Sequence, residues 1–391
     1  MTVAGQDQLA DELCAAGQLP PPWAPAFRAV DRAGFLPDRV WVEEEGAGYQ
    51  PLDRAAEPQR WWQAAYSNQV VVTQFDDGDT VWPKVGRRPT CSASMPSAIL
   101  GMLDVLDTQP GHRVLEIGTG TGYNAALLAQ YLGDDQVSTI ELDPALYELA
   151  RANLAAAGYR PSVLCGDGAA GDPSSAPFDR VLATATVRLG ELPHAWVAQT
   201  APGGRIVVPV RTEITSGPVV AFTVQPEGTA TGRAAPLSVG FMELRAQRSP
   251  LGDLSGLRWD DPDADTHATE LTPWTVFNGL DQRWVVGRRL RGCRWWHWPP
   301  TREHPHVLWL LDPTSRSWAS ATYSTDPGPY TVRQGGPRRL WNEAEAAYHW
   351  WQHAGQPSVE AWEFLITPDR QHDRLTAQTA SPQPETDDGM T

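Results

Sequence analysis

The sequence predicts an α/β protein built on a doubly wound, mostly parallel sheet, and three observations carry that expectation. Between Arg113 and Val210, short apolar runs alternate with segments whose apolar residues recur at helical spacing. The first of these runs passes through Gly118-Thr119-Gly120-Thr121-Gly122, a GxGxG turn, directly into a helical stretch. Successive runs then end on acids, at Glu141-Leu142-Asp143 and at Gly166-Asp167-Gly168. Right-handed crossovers in such a sheet bring all these strand ends to one edge, where ligands bind.

Taken in order, Gln6–Ala16 reads as a short helix, and Pro20, Pro21, Pro22 and Pro25 break any regular element after it. Trp23–Trp41 is a helical turn and a Pro-stopped connector; Trp61–Tyr66 is another helical turn, Gln69–Phe75 a strand, and Asp76–Thr90 an exposed loop ending in Lys84, Arg87 and Arg88. In Ser92–Leu106, Pro96 suits the first turn of a helix and Ser94 is placed to cap it. Val114–Ile117 is then a buried strand, and Tyr123–Leu132 a helix closed by Gly133. Val137–Ile140 is the second strand. Asp143-Pro144 starts a helix that runs to Gly158 with Leu146, Leu149, Ala150 and Leu154 inward. Strands at Ser162–Cys165, Phe178–Ala183 and Arg205–Val210 come next, with a helix at Pro193–Gln199 and a turn at Pro202-Gly203-Gly204. Val219–Val224 and Ser238–Leu244 read as a closing hairpin.

The remainder differs in composition. Twelve of the 18 tryptophans lie beyond residue 258. RWVVGRRL, HVLWLLD and SWASATY alternate like strands, Asn342–His353 is helix-like and Ala361–Thr367 a last strand. The expected division is an N-terminal substrate-side segment (1–91), a core (92–245), a linker (246–267), a Trp-rich α+β domain (268–369) and a polar, disordered tail (370–391).

Composition excludes several functions. A formal net charge of −16 disfavours nucleic acid and anionic membranes, since both are bound through Lys and Arg. The four cysteines are scattered, with no CxxC pair, which fits a reducing cytoplasm and gives no metal site. The N-terminus has neither a basic nor an apolar region of a signal peptide, and no run is long enough to span a membrane. The expectation is a cytoplasmic protein, with a monomer favoured.

The chemistry begins at Glu116. An acid ahead of a Gly-rich turn repels a pyrophosphate but suits a ligand bearing an ammonium and a sulfonium, and GxGxG is not the GxGxxG of dinucleotide binders. The reading is an S-adenosyl-L-methionine (SAM) site in a Rossmann-like class I methyltransferase fold. Glu116, Gly118, Thr119, Gly120, Gly122 and Tyr123 would face the methionine part. Glu141 with Leu142 would take the ribose hydroxyls, and Asp167 with Gly168 the adenine.

The segments AFRAVDRAGFLP, AYSNQ, SASMPSAILGMLDVL, GHRVLEIGTGTGYNAALLA, IELDPALYELARANL, GDG, APFD and PGGRIVVPV resemble, in order, the protein-L-isoaspartate O-methyltransferase family. The resemblance covers residues 26–210, about half the chain. It implies that Ser94, with Ser92 in the neighbouring Thr position, contacts the carboxylate to be methylated. Met95 replaces a family Gln, and Asn68 stands where the repair enzymes have Asp. The long C-terminal region, with the PTCSASMPS run and the TPWTVFNGLDQRWVVGRRL stretch, is similar to family members from ribosomal-peptide gene clusters (lanthipeptides and graspetides). The resemblance thus implies methylation of an ordinary Asp in a constrained peptide, leading to aspartimide or isoaspartate; the alternative is isoaspartyl repair. A non-catalytic peptide scaffold and a small-molecule methyltransferase are further alternatives. The pairs His304/His306 and His349/His353 have spacings a metal could use, but packing or surface roles are expected. Arg288, Arg289, Arg291 and Arg294 beside Trp295 and Trp296 form a candidate peptide-binding surface.

Overall fold

A computed structural model describes residues 2–248, 261–300, 305–324 and 328–376. The N-terminal segment carries helices α1 (Thr2–Ala15), α2 (Ala24–Ala29) and α3 (Pro58–Ala65). It also forms an antiparallel sheet of β1 (Arg39–Glu44), β2 (Gly48–Asp53), β3 (Val71–Phe75) and β4 (Pro89–Ala93), in the order β2-β1-β3-β4. Strand β4 is therefore an edge. It leads through Ser94 and Met95 into α4 (Pro96–Leu106), whose apolar stripe, including Ile99, Leu103 and Leu106, is buried.

The central sheet follows the predicted alternation: β5 (Val114–Ile117), α5 (Tyr123–Leu132), β6 (Val137–Glu141), α6 (Pro144–Ala156), β7 (Ser162–Cys165), β8 (Phe178–Ala183), the two-residue β9 (Val187–Arg188), α7 (His194–Ala198) and β10 (Thr200–Arg211). Strands β10, β8, β5, β6 and β7 run parallel in that order. Chain order reverses between β5 and β8, so the carboxyl ends of β5 and β8 flank a topological switch point, where an α/β sheet opens a crevice. Pro202-Gly203-Gly204, expected as a turn, is instead absorbed into β10 as an irregularity where the register against β8 shifts. The hairpin is β11 (Pro218–Val224) with β12 (Ala230–Ser238). Residues 239–244, expected as its second strand, instead leave the sheet as a strap.

Beyond this lie β13 (Asp265–Thr269), α8 (Pro273–Phe277), α9 (Leu280–Arg289), β14 (Arg294–Trp298), β15 (His306–Asp312), β16 (Ser317–Tyr323), β17 (Tyr330–Gly335), α10 (Leu340–His353), β18 (Trp362–Ile366) and β19 (Gln371–Leu375). Five of these strands form a second antiparallel sheet, β13-β17-β16-β15-β14. RWVVGRRL, expected as a strand, lies in α9: Leu280, Trp284 and Gly287 recur at i, i+4 and i+7, and Gly287 leaves no room for a side chain against Thr212 and Ile214 of the core.

The last two strands cross back. β18 pairs antiparallel with β12, and β19 with β18, extending the central sheet to β19-β18-β12-β11-β10-β8-β5-β6-β7. One apolar core runs accordingly from Leu115 and Val181 to Trp284, Trp341 and Phe364. The tail expected to be disordered from Arg370 thus begins as a strand, held by Gln371 bonded to Leu192 and by an Asp373–Arg288 ion pair at 2.6 Å. Most of the expected linker, and residues 377–391 of the tail, lie outside the described residues; Asp265–His267, at the linker's end, are already strand β13.

Candidate active site

At the switch point a cleft of about 1000 Å³, including its open mouth, is bounded by the β5–α5 turn, the ends of β6 and β7, the edge strand β4 and the strap 241–248. Its lining contains Ser92, Ser94, Glu116, Gly118, Thr119, Gly120, Tyr123, Glu141, Leu142, Asp167 and Gly168. Eleven of the twelve residues singled out from sequence thus converge on one space. The exception is Gly122. It starts α5 at φ 95°, and a Cβ there would press on Leu154 and the Ala150 carbonyl, so its glycine serves the packing of α5 on α6.

Glu116 lies beneath the turn and is fully buried. Asn124 Nδ2 donates to its Oε1 and Thr139 Oγ1 to its Oε2, each at 2.6 Å, while Thr119 and Thr139 hydroxyls meet at 2.7 Å. Burial dominates over these bonds and lifts the carboxyl to about 7. The group is therefore poised to ionise when positive charge enters the cleft. Asn124 Oδ1 is itself buried without a partner. Gly118, at φ 94°, must be glycine, because a Cβ would stand 2.8 Å from Thr184 Oγ1, which donates to the Gly118 carbonyl at 2.7 Å.

Glu141 ends β6 with both oxygens fixed by backbone: Gly120 N–H donates to Oε2 at 2.9 Å and Asp143 N–H to Oε1 at 3.0 Å. One lone pair on each oxygen stays free, the pattern that accepts from a vicinal diol. Burial, ahead of these bonds, raises its pKa. Asp167 is exposed, and its Oδ1 accepts from Ala169 N–H at 2.9 Å. A Cβ on the neighbouring Gly168 would lie 2.6 Å from Ile117 Cγ2, so the backbone there passes flat against the cleft floor. Three acids, a tight glycine turn and a flat apolar shelf match the charge and shape of SAM.

The opposite wall is Ser92–Ser94. Ser94 does not cap α4: the N-cap position is Met95, with no side-chain bond, and Asn68 Oδ1 takes the Ser97 N–H instead. Ser94 is fixed through its backbone. The buried guanidinium of Arg32 donates to the carbonyls of Ala65 (2.8 Å), Gln69 (2.9 Å) and Ser94 (3.1 Å), and more distantly to those of Ala64, Ser67 and Ala93. Burial lowers its pKa to about 10, so it remains charged at neutral pH. Ser92 Oγ faces Met242 Sδ at 4.0 Å.

Several lining residues escape sequence reasoning: Thr90, Cys91, Thr184, and Phe241–Arg245 with Arg248 on the strap. A buried Arg in RAVDRAGF carries no local signal, and the strap reads as the end of a strand. Of the Arg/Trp surface, Arg288 is engaged, stacked 3.7 Å from the Trp362 ring centroid and paired with Asp373, and Trp295 Nε1 donates to the Ile214 carbonyl at 2.7 Å. Arg289 and Arg291 are exposed. His306 Nδ1 lies 3.0 Å from His297 Nε2, His349 and His353 are exposed on α10, and His304 falls outside the described residues. Among the described residues no group of three or more His, Cys, Asp or Glu side chains is arranged to hold a metal.

The doubly wound sheet, its switch-point cleft and the glycine turn define the SAM-dependent methyltransferase class I fold. Residues 58–239 match the family model "Protein-L-isoaspartate(D-aspartate) O-methyltransferase". Over 168 residues the chain is 38% identical to the protein-L-isoaspartate O-methyltransferase of Ignicoccus hospitalis, covering 42% of this chain and 76% of that protein. It is 43% identical over 129 residues to that of Methanopyrus kandleri, covering 32% of this chain and 55% of the relative. The chain spans 55% and 64% of the lengths of the Methanopyrus kandleri and Methylorubrum extorquens relatives. A solved structure titled protein-L-isoaspartate O-methyltransferase shares the fold over 95% of this chain and all of its own, at a TM-score of 0.52 and 20% identity. The chain belongs to the protein-L-isoaspartate O-methyltransferase family.

Proposed function

We propose that the protein transfers the methyl group of SAM to a peptide carboxylate, with isoaspartyl residues as the acceptors. The supporting observation is that Ser92 and Ser94 share one cleft with Glu116, Glu141 and the glycine turn. The C-terminal region is compatible with this reading, because the fold of a solved chain titled protein-L-isoaspartate O-methyltransferase extends over 95% of this chain. In this reading Glu141 holds the ribose, Asp167 and Gly168 the adenine, and the turn over Glu116 the methionine part. SAM supplies an activated methyl group. The Ser94 hydroxyl donates to one carboxylate oxygen and orients the other toward that methyl. An ionised carboxylate needs no general base, so catalysis is positioning and the exclusion of water. The ester is then open to attack by the following backbone nitrogen, which gives up its proton as the acyl C–O bond breaks and methanol leaves; the resulting aspartimide is opened by water to Asp or isoaspartate.

A second reading, an ordinary Asp in a constrained ribosomal peptide, is favoured by Met95 and Asn68, where the family residues are Gln and Asp. Radiolabelled methyl transfer from SAM to matched isoaspartyl, linear aspartyl and cyclised aspartyl peptides separates the two. Preference for the isoaspartyl peptide supports the first reading. Turnover of the cyclised aspartyl peptide alone replaces it with the second, and SAM binding with no turnover of any peptide leaves a non-catalytic scaffold.

A further inference from the structure

Three distant segments meet over the ribose side of the cleft in a closed circuit of polar contacts. Asp77 N–H donates to Thr90 Oγ1 (3.0 Å), Thr90 Oγ1 donates to Gln74 Oε1 (2.8 Å), and Gln74 Nε2 donates to Asp143 Oδ2 (3.0 Å). Arg245 then returns from Asp143 (3.9 Å) to Asp77 (3.0 Å), and Arg248 adds a second ion pair to Asp77 at 2.6 Å. The circuit joins the β3–β4 loop, the start of α6 two residues beyond Glu141, and the strap. Thr90, Arg245 and Arg248 also line the cleft.

The loop is shaped to present Asp77. Asp76 and Asp77 are both left-handed, at φ 50° and 56°, a conformation uncommon for residues other than glycine. Asp76 is held there by Thr80 Oγ1 (2.6 Å) and the N–H groups of Arg87 and Arg88 (3.0 Å each). Asp77 alone is left to face two arginines. Its carboxylate is about a third exposed, so its ion pairs are the links of the circuit that water and salt can reach.

We propose that Asp77, Arg245 and Arg248 form a clasp that retains the cofactor. Resting on the SAM reading above, the clasp holds the strap against the β3–β4 loop while methyl transfer proceeds, and its opening sets the rate at which SAM and S-adenosylhomocysteine exchange. These are positioning residues, acting through the strap. A ligand whose ribose sits on Glu141 is flanked by Thr90 on one side and Arg245 on the other, and leaves on this side only when the Asp77 pairs part.

The test uses the full chain and chases bound radiolabelled SAM with excess unlabelled SAM at low and high NaCl. Wild-type release is expected to accelerate with salt. Asp77→Asn, which keeps a residue at ease in the left-handed region, should release SAM roughly fivefold faster and lose the salt dependence. Arg248→Gln should do the same in part, and Asp77→Arg combined with Arg245→Asp and Arg248→Asp should slow release again. The KM for SAM should rise while the KM for peptide stays fixed, a split that general loosening of the fold would not give. If wild type binds SAM and Asp77→Asn releases it at the wild-type rate, the clasp alone is overturned. If wild type binds no SAM, the cofactor reading and the clasp fall together.

Discussion

Asn68 caps helix α4 from outside the helix: its Oδ1 accepts from the Ser97 N–H at 2.9 Å while its Nδ2 donates to Gln18 Oε1 at 3.2 Å. The cap satisfies one of the free N–H groups at the helix start and ties α4 to the N-terminal segment. Asn68→Ala is expected to lower stability by about 1 kcal/mol in urea unfolding. Asn68→Asp should keep the cap and place a carboxylate at the positive helix end, so that stability is held or raised.

Because Ser94 is not the cap, its hydroxyl can be removed without loosening α4. Ser94→Ala should leave the unfolding midpoint and SAM affinity close to wild type and reduce methyl transfer by roughly 10- to 100-fold, the cost of one hydrogen bond to a charged acceptor. Calorimetry with SAM and initial rates with an isoaspartyl peptide check both halves. Unchanged turnover would remove Ser94 from the mechanism.

The raised pKa of Glu116 has two signs to work out. An ordinary glutamic carboxyl titrates at 4.5 and this one at about 7 in the fold, so the unfolded chain holds fewer protons between those values. Its contribution to stability is full below 4.5 and declines as pH rises through about 7. A cation in the cleft favours the ionised form. SAM affinity should therefore rise with pH, by up to about tenfold per unit, and level off above 7, with a proton released on binding below it. Isothermal titration in buffers of different ionisation enthalpy measures that proton. Glu116→Gln should abolish both the pH dependence and the release.

Arg32 is a structural organiser of the Ser92–Ser94 wall of the cleft. Arg32→Met leaves the buried carbonyl of Ala65 and the half-buried carbonyls of Gln69 and Ser94 without their donor, at a cost on the order of 3 kcal/mol. Arg32→Lys restores charge but not the planar fork that spans two sets of carbonyls. Chemical denaturation should rank the three proteins wild type, Lys, Met.

Legibility in the sequence tracks how local the cause is. The GxGxG turn, the acids closing β6 and β7, and the helix begun by Asp143-Pro144 are each set by a few adjacent residues, and all are legible within a residue or two of their places. Asp143 Oδ1 indeed accepts from the Ala145 and Leu146 N–H groups. The features that escape such reading depend on partners far along the chain. The alternation in RWVVGRRL fits a strand until Trp284 and Gly287 are seen packing one face of α9 against the core. Residues 239–244 look like strand but run over the cleft, and Arg32 needs carbonyls as distant as Ser94. Gln371-His372-Asp373 looks too polar to order, yet Gln371 and Asp373 find Leu192 and Arg288.

The return of β18 to β12 also sets the order in which the molecule can be made. Strand β12 emerges from the ribosome more than a hundred residues before its partner, Trp362–Ile366, and until then the sheet ends on an open row of N–H and C=O groups. The methyltransferase half of the protein therefore completes its sheet only once residues 362–366 have been made. Pairing across that sequence separation makes for slow closure, and a chain halted before residue 362 carries a sticky margin rather than a finished domain.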